Sequence, residues 1–82
     1  MLLSVRGIGP GILTTYLLEM GGREAGPEQI VGDGWEAHVT AVEPVQVGAI
    51  RLGVTEVQLD GDRAALEALQ GEFEKKTLRA GG

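Results

Sequence analysis

Gly32-Asp33-Gly34-Trp35-Glu36-Ala37-His38-Val39-Thr40-Ala41-Val42-Glu43-Pro44 is the stretch from which the rest of the chain is placed. Trp35, Ala37, Val39 and Ala41 alternate with Glu36, His38, Thr40 and Val42. That period of two sends one set of side chains into a core and the other to the opposite face of a half-buried strand. Before the strand, Gly32-Asp33-Gly34 supplies the positive backbone angles of a tight hairpin, which makes Gln29-Ile30-Val31 the partner strand. After it, Glu43-Pro44 is expected to break the strand, since proline gives no N–H to a ladder.

Toward the N-terminus, Leu2, Leu3 and Val5 followed by Gly7-Ile8-Gly9-Pro10-Gly11 read as a short strand ending in a turn. Ile12, Leu13, Tyr16, Leu17 and Met20 then share one helical stripe, and Gly21-Gly22 ends that helix. Arg23 to Pro27 reads as a loop. Toward the C-terminus, Ile50, Leu52 and Val54 sit on even positions and Val57 and Leu59 on odd ones. The change of parity calls for a bulge or turn near Gly53 or Thr55, so Val45 to Asp60 is either one bulged strand or two short ones. Asp62 caps a second helix whose buried stripe is Ala65, Leu66, Leu69 and Phe73, with Glu72 and Lys76 spaced to pair outside. Gly71 within it suggests a close backbone contact, and Thr77 to Gly82 carries no helical reason to continue.

The expected fold is a two-layer α+β domain over residues 1–78, with a flexible tail at 79–82. Its order is β-α-β-β-β(-β)-α, an antiparallel sheet covered on one face by two helices. The other sheet face carries Thr, Glu, Arg and His but also Val42 and Ala49. That mixture points to a homodimer through the sheet or its edge.

Composition narrows the function classes. Eighty-two residues suffice for one domain and exclude a barrel, a sandwich or a two-lobed dinucleotide enzyme. The absence of cysteine removes disulfides, Cys-ligated zinc, iron–sulfur clusters and thiol catalysis, and suits a reducing cytoplasm. A net charge of -5 repels phosphate backbones and anionic membranes, so no nucleic-acid partner is expected. No apolar run reaches the roughly 20 residues of a spanning helix, and Met1 to Arg6 lacks the order of a signal peptide.

The local candidates are few. Gly7, Gly9, Gly11, Ile12 and Thr14, with Thr15 and Arg6 as helpers, form a strand-to-helix loop whose amides and helix dipole can hold an anion. The third glycine of a dinucleotide fingerprint falls at Ile12, no Lys-Ser/Thr follows, and Pro10 removes an amide; ordinary strand-to-helix chemistry explains the loop as well. His38, the only histidine, lies two residues from Glu36 without a ligand set, so no metal and no cofactor is expected. Asp60-Gly61-Asp62 lacks the remaining positions of a calcium loop and is explained by a turn and a cap. No catalytic set assembles, so an enzyme is not expected. Gly81 and Gly82 form the ending that ubiquitin-like sulfur carriers thread into an activating enzyme, whereas Lys75, Lys76 and Arg79 before them suit a helix end.

Gly-Ile-Gly-Pro-Gly-Ile-Leu-Thr-Thr-Tyr-Leu-Leu-Glu (Gly7 to Glu19), Leu-Gly-Val-Thr-Glu-Val-Gln-Leu-Asp-Gly-Asp (Leu52 to Asp62) and Leu-Arg-Ala-Gly-Gly (Leu78 to Gly82) together resemble the small C-terminal domain of MoaD-related proteins. The resemblance implies a TATA-binding-protein-like arrangement and a setting near molybdopterin or sulfur-transfer proteins, with no catalytic residue to carry over. The resemblance is to the appended domain and not to a β-grasp domain, so a carrier role of the fused protein is not expected to transfer automatically. The expectation is a non-catalytic interaction and oligomerisation domain, with two alternatives: a sulfur carrier using Gly81-Gly82, and an anion or nucleotide sensor at the glycine-rich loop.

Overall fold

A computed structural model describes the backbone of residues 1–81 and the side chains of residues 1–76. In chain order the elements are β1 (Leu2–Arg6), α1 (Pro10–Glu19), β2 (Arg23–Gly26), β3 (Gln29–Gly32), β4 (Trp35–Val47), β5 (Ile50–Gly61) and α2 (Arg63–Gly81). The five strands form one antiparallel sheet in the order β1-β5-β4-β3-β2. This is the expected α+β class, with the two helices packed on one sheet face.

The core is aliphatic because the chain has almost no aromatics to spend. Ala37 and Val39 from β4, Val57 and Leu59 from β5, and Ile30 from β3 meet Leu13 and Leu17 of α1 and Leu69 and Phe73 of α2. Trp35 closes one end, and Leu3 and Val5 of β1 pack at the margin. Ile12, expected on the buried stripe of α1, is 52% exposed. Leu18 packs against the core in addition to the residues read from the periodicity.

Several boundaries differ from the sequence reading. Arg23 to Gly26 is not a loop but edge strand β2, paired to β3 through Arg23–Val31 and Glu24–Ile30. Glu43-Pro44 does not end β4. The strand passes through a register shift between Val42 and Val45 and pairs again through Val45–Leu52, Gln46–Arg51 and Val47–Ile50. A proline tolerated at a bulge keeps the strand going where a proline in a regular ladder would stop it. The parity change is consequently not a kink in β5, which runs unbroken from Ile50 to Gly61. Its odd residues Thr55, Val57 and Leu59 face the helices, and its even residues face the other way.

Gly71 meets nothing within 4 Å of where a Cβ would stand, so it marks no close contact. Glu72 pairs with Lys75 at 3.9 Å, not with Lys76. Lys76 instead reaches Glu19 of α1 at 3.8 Å and lies 5.7 Å from the centre of the Tyr16 ring. The helix continues through Thr77 to Gly81, helped by the propensities of Leu78, Arg79 and Ala80. Gly82, half of the candidate carrier ending, lies outside the described residues.

Candidate functional site

The glycine-rich loop takes its shape from three local requirements. Gly7 has φ of 79°, a left-handed conformation, and its N–H donates to the Gly53 carbonyl at 2.8 Å, extending the β1–β5 ladder by one residue. Gly9 is the N-cap of α1, in extended conformation and with no side chain to cap the helix; Pro10 follows in the first turn. The buried Thr55 hydroxyl donates to the Ile8 carbonyl at 2.9 Å and pins the loop to the sheet. A groove of about 470 Å³ opens between this loop and the base of the β4–β5 hairpin, lined by Gly7, Gly9, Pro10, Arg51 and Gly53 among others.

The expected anion residues only partly converge there. Gly7 and Gly9 line the groove, whereas Ile12 turns its side chain outward and Gly11 and Thr14 are not among the lining residues. The Thr15 hydroxyl donates to the Gly11 carbonyl at 3.0 Å, a bond within its own helix. Arg6 pairs with Val54 and therefore stands on the sheet face away from α1. Arg51 is the cation that shares the groove, and nothing in the local sequence marked it.

The remaining candidates are structural. His38 Nε2 lies 3.7 Å from Glu36 Oε1, both about half exposed. No group of three or more His, Cys, Asp or Glu able to hold a metal occurs among the described residues. The Asp62 N–H donates to the Gly34 carbonyl and the Asp62 carbonyl accepts from Leu66 N–H, each at 2.9 Å, so the Asp60-Gly61-Asp62 segment is a turn leading into α2. No side-chain nitrogen or oxygen buried among the described residues lacks a hydrogen-bond partner.

The open face of the sheet shows the more unusual arrangement. Its upper rungs are polar: Asp60 with Glu36, Gln58 with His38, and Glu56 with Thr40, whose hydroxyl donates to Glu28 Oε2 at 3.1 Å. Below them the character reverses. Val42 faces Val54, then Val45 faces Leu52, then Val47 faces Ile50. The two-for-one step at Glu43-Pro44 brings the odd residues Val45 and Val47 onto the same face as the even residue Val42.

This part of the sheet is an arm. Beyond Val54 neither β4 nor β5 has a third strand beside it, and the arm contributes no residue to the helix-covered core. Val54 is only 7% exposed, but Val47 and Ile50 at the tip are 49% and 62% exposed. Gln46 and Arg51 pair on the opposite face. The hairpin is thus amphipathic, with an apolar ladder turned to solvent.

No helix among the described residues is long and apolar enough to cross a membrane. No curated protein matches the chain. A family model described as archaeal MoaD-like protein matches residues 1–82, and the chain belongs to that family.

Proposed function

We propose that this chain is a non-catalytic protein-interaction domain that works through the open face of its sheet, with the β4–β5 arm as the main contact. The observation that carries this reading is the apolar ladder Val42–Val54, Val45–Leu52 and Val47–Ile50 on an arm that the core does not use. Contiguous apolar surface of this kind, bordered by polar rungs, is what protein contacts bury. Membership of the MoaD-like family supports a setting among molybdopterin or sulfur-carrier proteins, and a cysteine-free chain suits a reducing compartment.

The carrier alternative through Gly81-Gly82 asks for an extended, unhindered segment, and α2 keeps the backbone helical through Gly81. The sensor alternative at the glycine-rich loop rests on helix-terminal amides and one exposed arginine, without a polar group held ready for a ligand. The arm is favoured over both.

The reading is tested by titrating the isotope-labelled chain with a MoaD-type carrier and its activating enzyme, with and without ATP. Amide shifts across residues 36–60 and no ATP-dependent gain in mass are expected. An adenylate or thiocarboxylate on Gly82, or shifts confined to residues 7–12, would contradict it.

A further inference from the structure

The occupant of the arm follows from its symmetry and charge. We infer that the ladder is covered by the ladder of a second copy, the two arms packed face to face and antiparallel about a two-fold axis that runs along the Val45–Leu52 rung. This rests on the reading of the open face as a contact surface and adds what it contacts.

Such an axis sets Leu52 against Leu52 and Val45 against Val45 of the two copies, Val47 against Val42, and Ile50 against Val54. The most exposed rung of each arm thereby meets the least exposed rung of the other, so a projecting tip fits a filled base. A surface that matches itself under a two-fold is what an isologous dimer requires. The ladder itself carries no charged or hydrogen-bonding side chain and so suits its own copy, whereas the groups that give heterologous contacts their specificity stand on the polar rungs above it, Glu36–Asp60, His38–Gln58 and Thr40–Glu56.

Charge agrees with the same arrangement. Between Ala41 and Thr55 the only charged residues are Glu43 and Arg51, which leaves the arm neutral in a chain of net charge -5. The acids of the open face, Glu28, Glu36, Glu56 and Asp60, lie on rungs beyond Val42–Val54, outside the contact, so no like charges face each other across it. Arg6, beside Val54, comes next to the second copy's Gly48-Ala49 turn, where main-chain carbonyls accept hydrogen bonds. What remains is long-range repulsion between two acidic bodies, which salt screens.

Area sets the strength. Residues 42–47 of β4 and 50–54 of β5 cover about 20 Å by 10 Å, well below the roughly 800 Å² per partner of a standard stable complex. A contact of this size belongs with weak, transient encounters, so the dimer exchanges rapidly with its monomer.

Sedimentation equilibrium of the full chain from about 10 μM to 1 mM, in about 0.05 and 0.5 M salt, reads this out. A monomer–dimer equilibrium that tightens several-fold at the higher salt is expected. Because the natural chain has no cysteine, Leu52→Cys gives a clean cross-link: it forms a disulfide dimer under mild oxidation, and Gln58→Cys, on the same face but outside the contact, does not. A monomer at every concentration and salt, or cross-linking by Gln58→Cys and not by Leu52→Cys, overturns the inference. If the chain stays monomeric while a carrier protein still shifts the arm amides, the second copy is wrong and the contact surface stands; if neither binds, both fall.

Discussion

Single residues fix the fold at one close approach and one buried hydrogen bond that are easy to disturb. A Cβ added at Gly32 would overlap the Trp35 indole, which is itself nearly buried. Gly32→Ala is expected to cost about 2–3 kcal/mol in urea unfolding, because the ring cannot move without opening the core. Gly71→Ala meets open space in the exposed side of α2 and should instead stabilise by about 0.5–1 kcal/mol. A reversed order of these two effects would contradict the packing described. Thr55 makes a comparable point for the loop before α1. Thr55→Val keeps the volume but leaves the Ile8 carbonyl without its donor, and a loss of about 1–3 kcal/mol is expected, together with faster amide exchange at residues 7–9. In the sequence Thr55 stands out only as a place where strand parity changes. Its buried hydroxyl is not legible there, since a threonine in a strand reads the same whether its oxygen meets water or a main-chain carbonyl 47 residues away.

Among the elements, those whose pattern is self-contained can be read from the sequence and those made by neighbours cannot. The alternation from Trp35 to Val39, the two-residue turn at Asp33-Gly34 and the stripes Leu13–Leu17 and Leu69–Phe73 all stand where the periodicity puts them, whereas Ala41, expected among the buried set, is exposed because the helices do not reach that far along the sheet. Strand β2 escapes such a reading because Arg23-Glu24-Ala25-Gly26 has poor strand propensity and is held extended by β3 alone. The arm escapes it for the opposite reason. Val45, Val47, Ile50 and Leu52 look like core residues out of phase, and only the register across Glu43-Pro44 shows that they share an outward face. Since the tip residues contact no core, Val47→Thr with Ile50→Thr, which keeps strand propensity and sets no like charges opposite each other, should change folding stability by no more than about 1 kcal/mol while weakening association several-fold. A large drop in stability would mean that the tip serves the fold and not a contact.

The whole molecule measures 41 × 25 × 19 Å, and its two sheet faces differ in character. One face is consumed by α1 and α2, and the other runs from acidic rungs to an apolar arm. The α+β class and the family are legible from the element order and from the segments Gly7 to Glu19, Leu52 to Asp62 and Leu78 to Gly82. The site is legible only as a suspicion attached to Val42, because composition records how many valines there are and not which face they share. A net charge of -5 also gives the proposed dimer a sign that tests it: association through a neutral arm is expected to strengthen with salt, whereas docking of a basic protein on the acidic rungs would weaken. Amide spectra of the unmodified chain over a dilution series bring these claims together. Concentration-dependent shifts confined to Arg6 and residues 42–54 are predicted, and a spectrum that does not change with concentration, or one that changes at residues 7–12 or along the helices instead, would contradict the account.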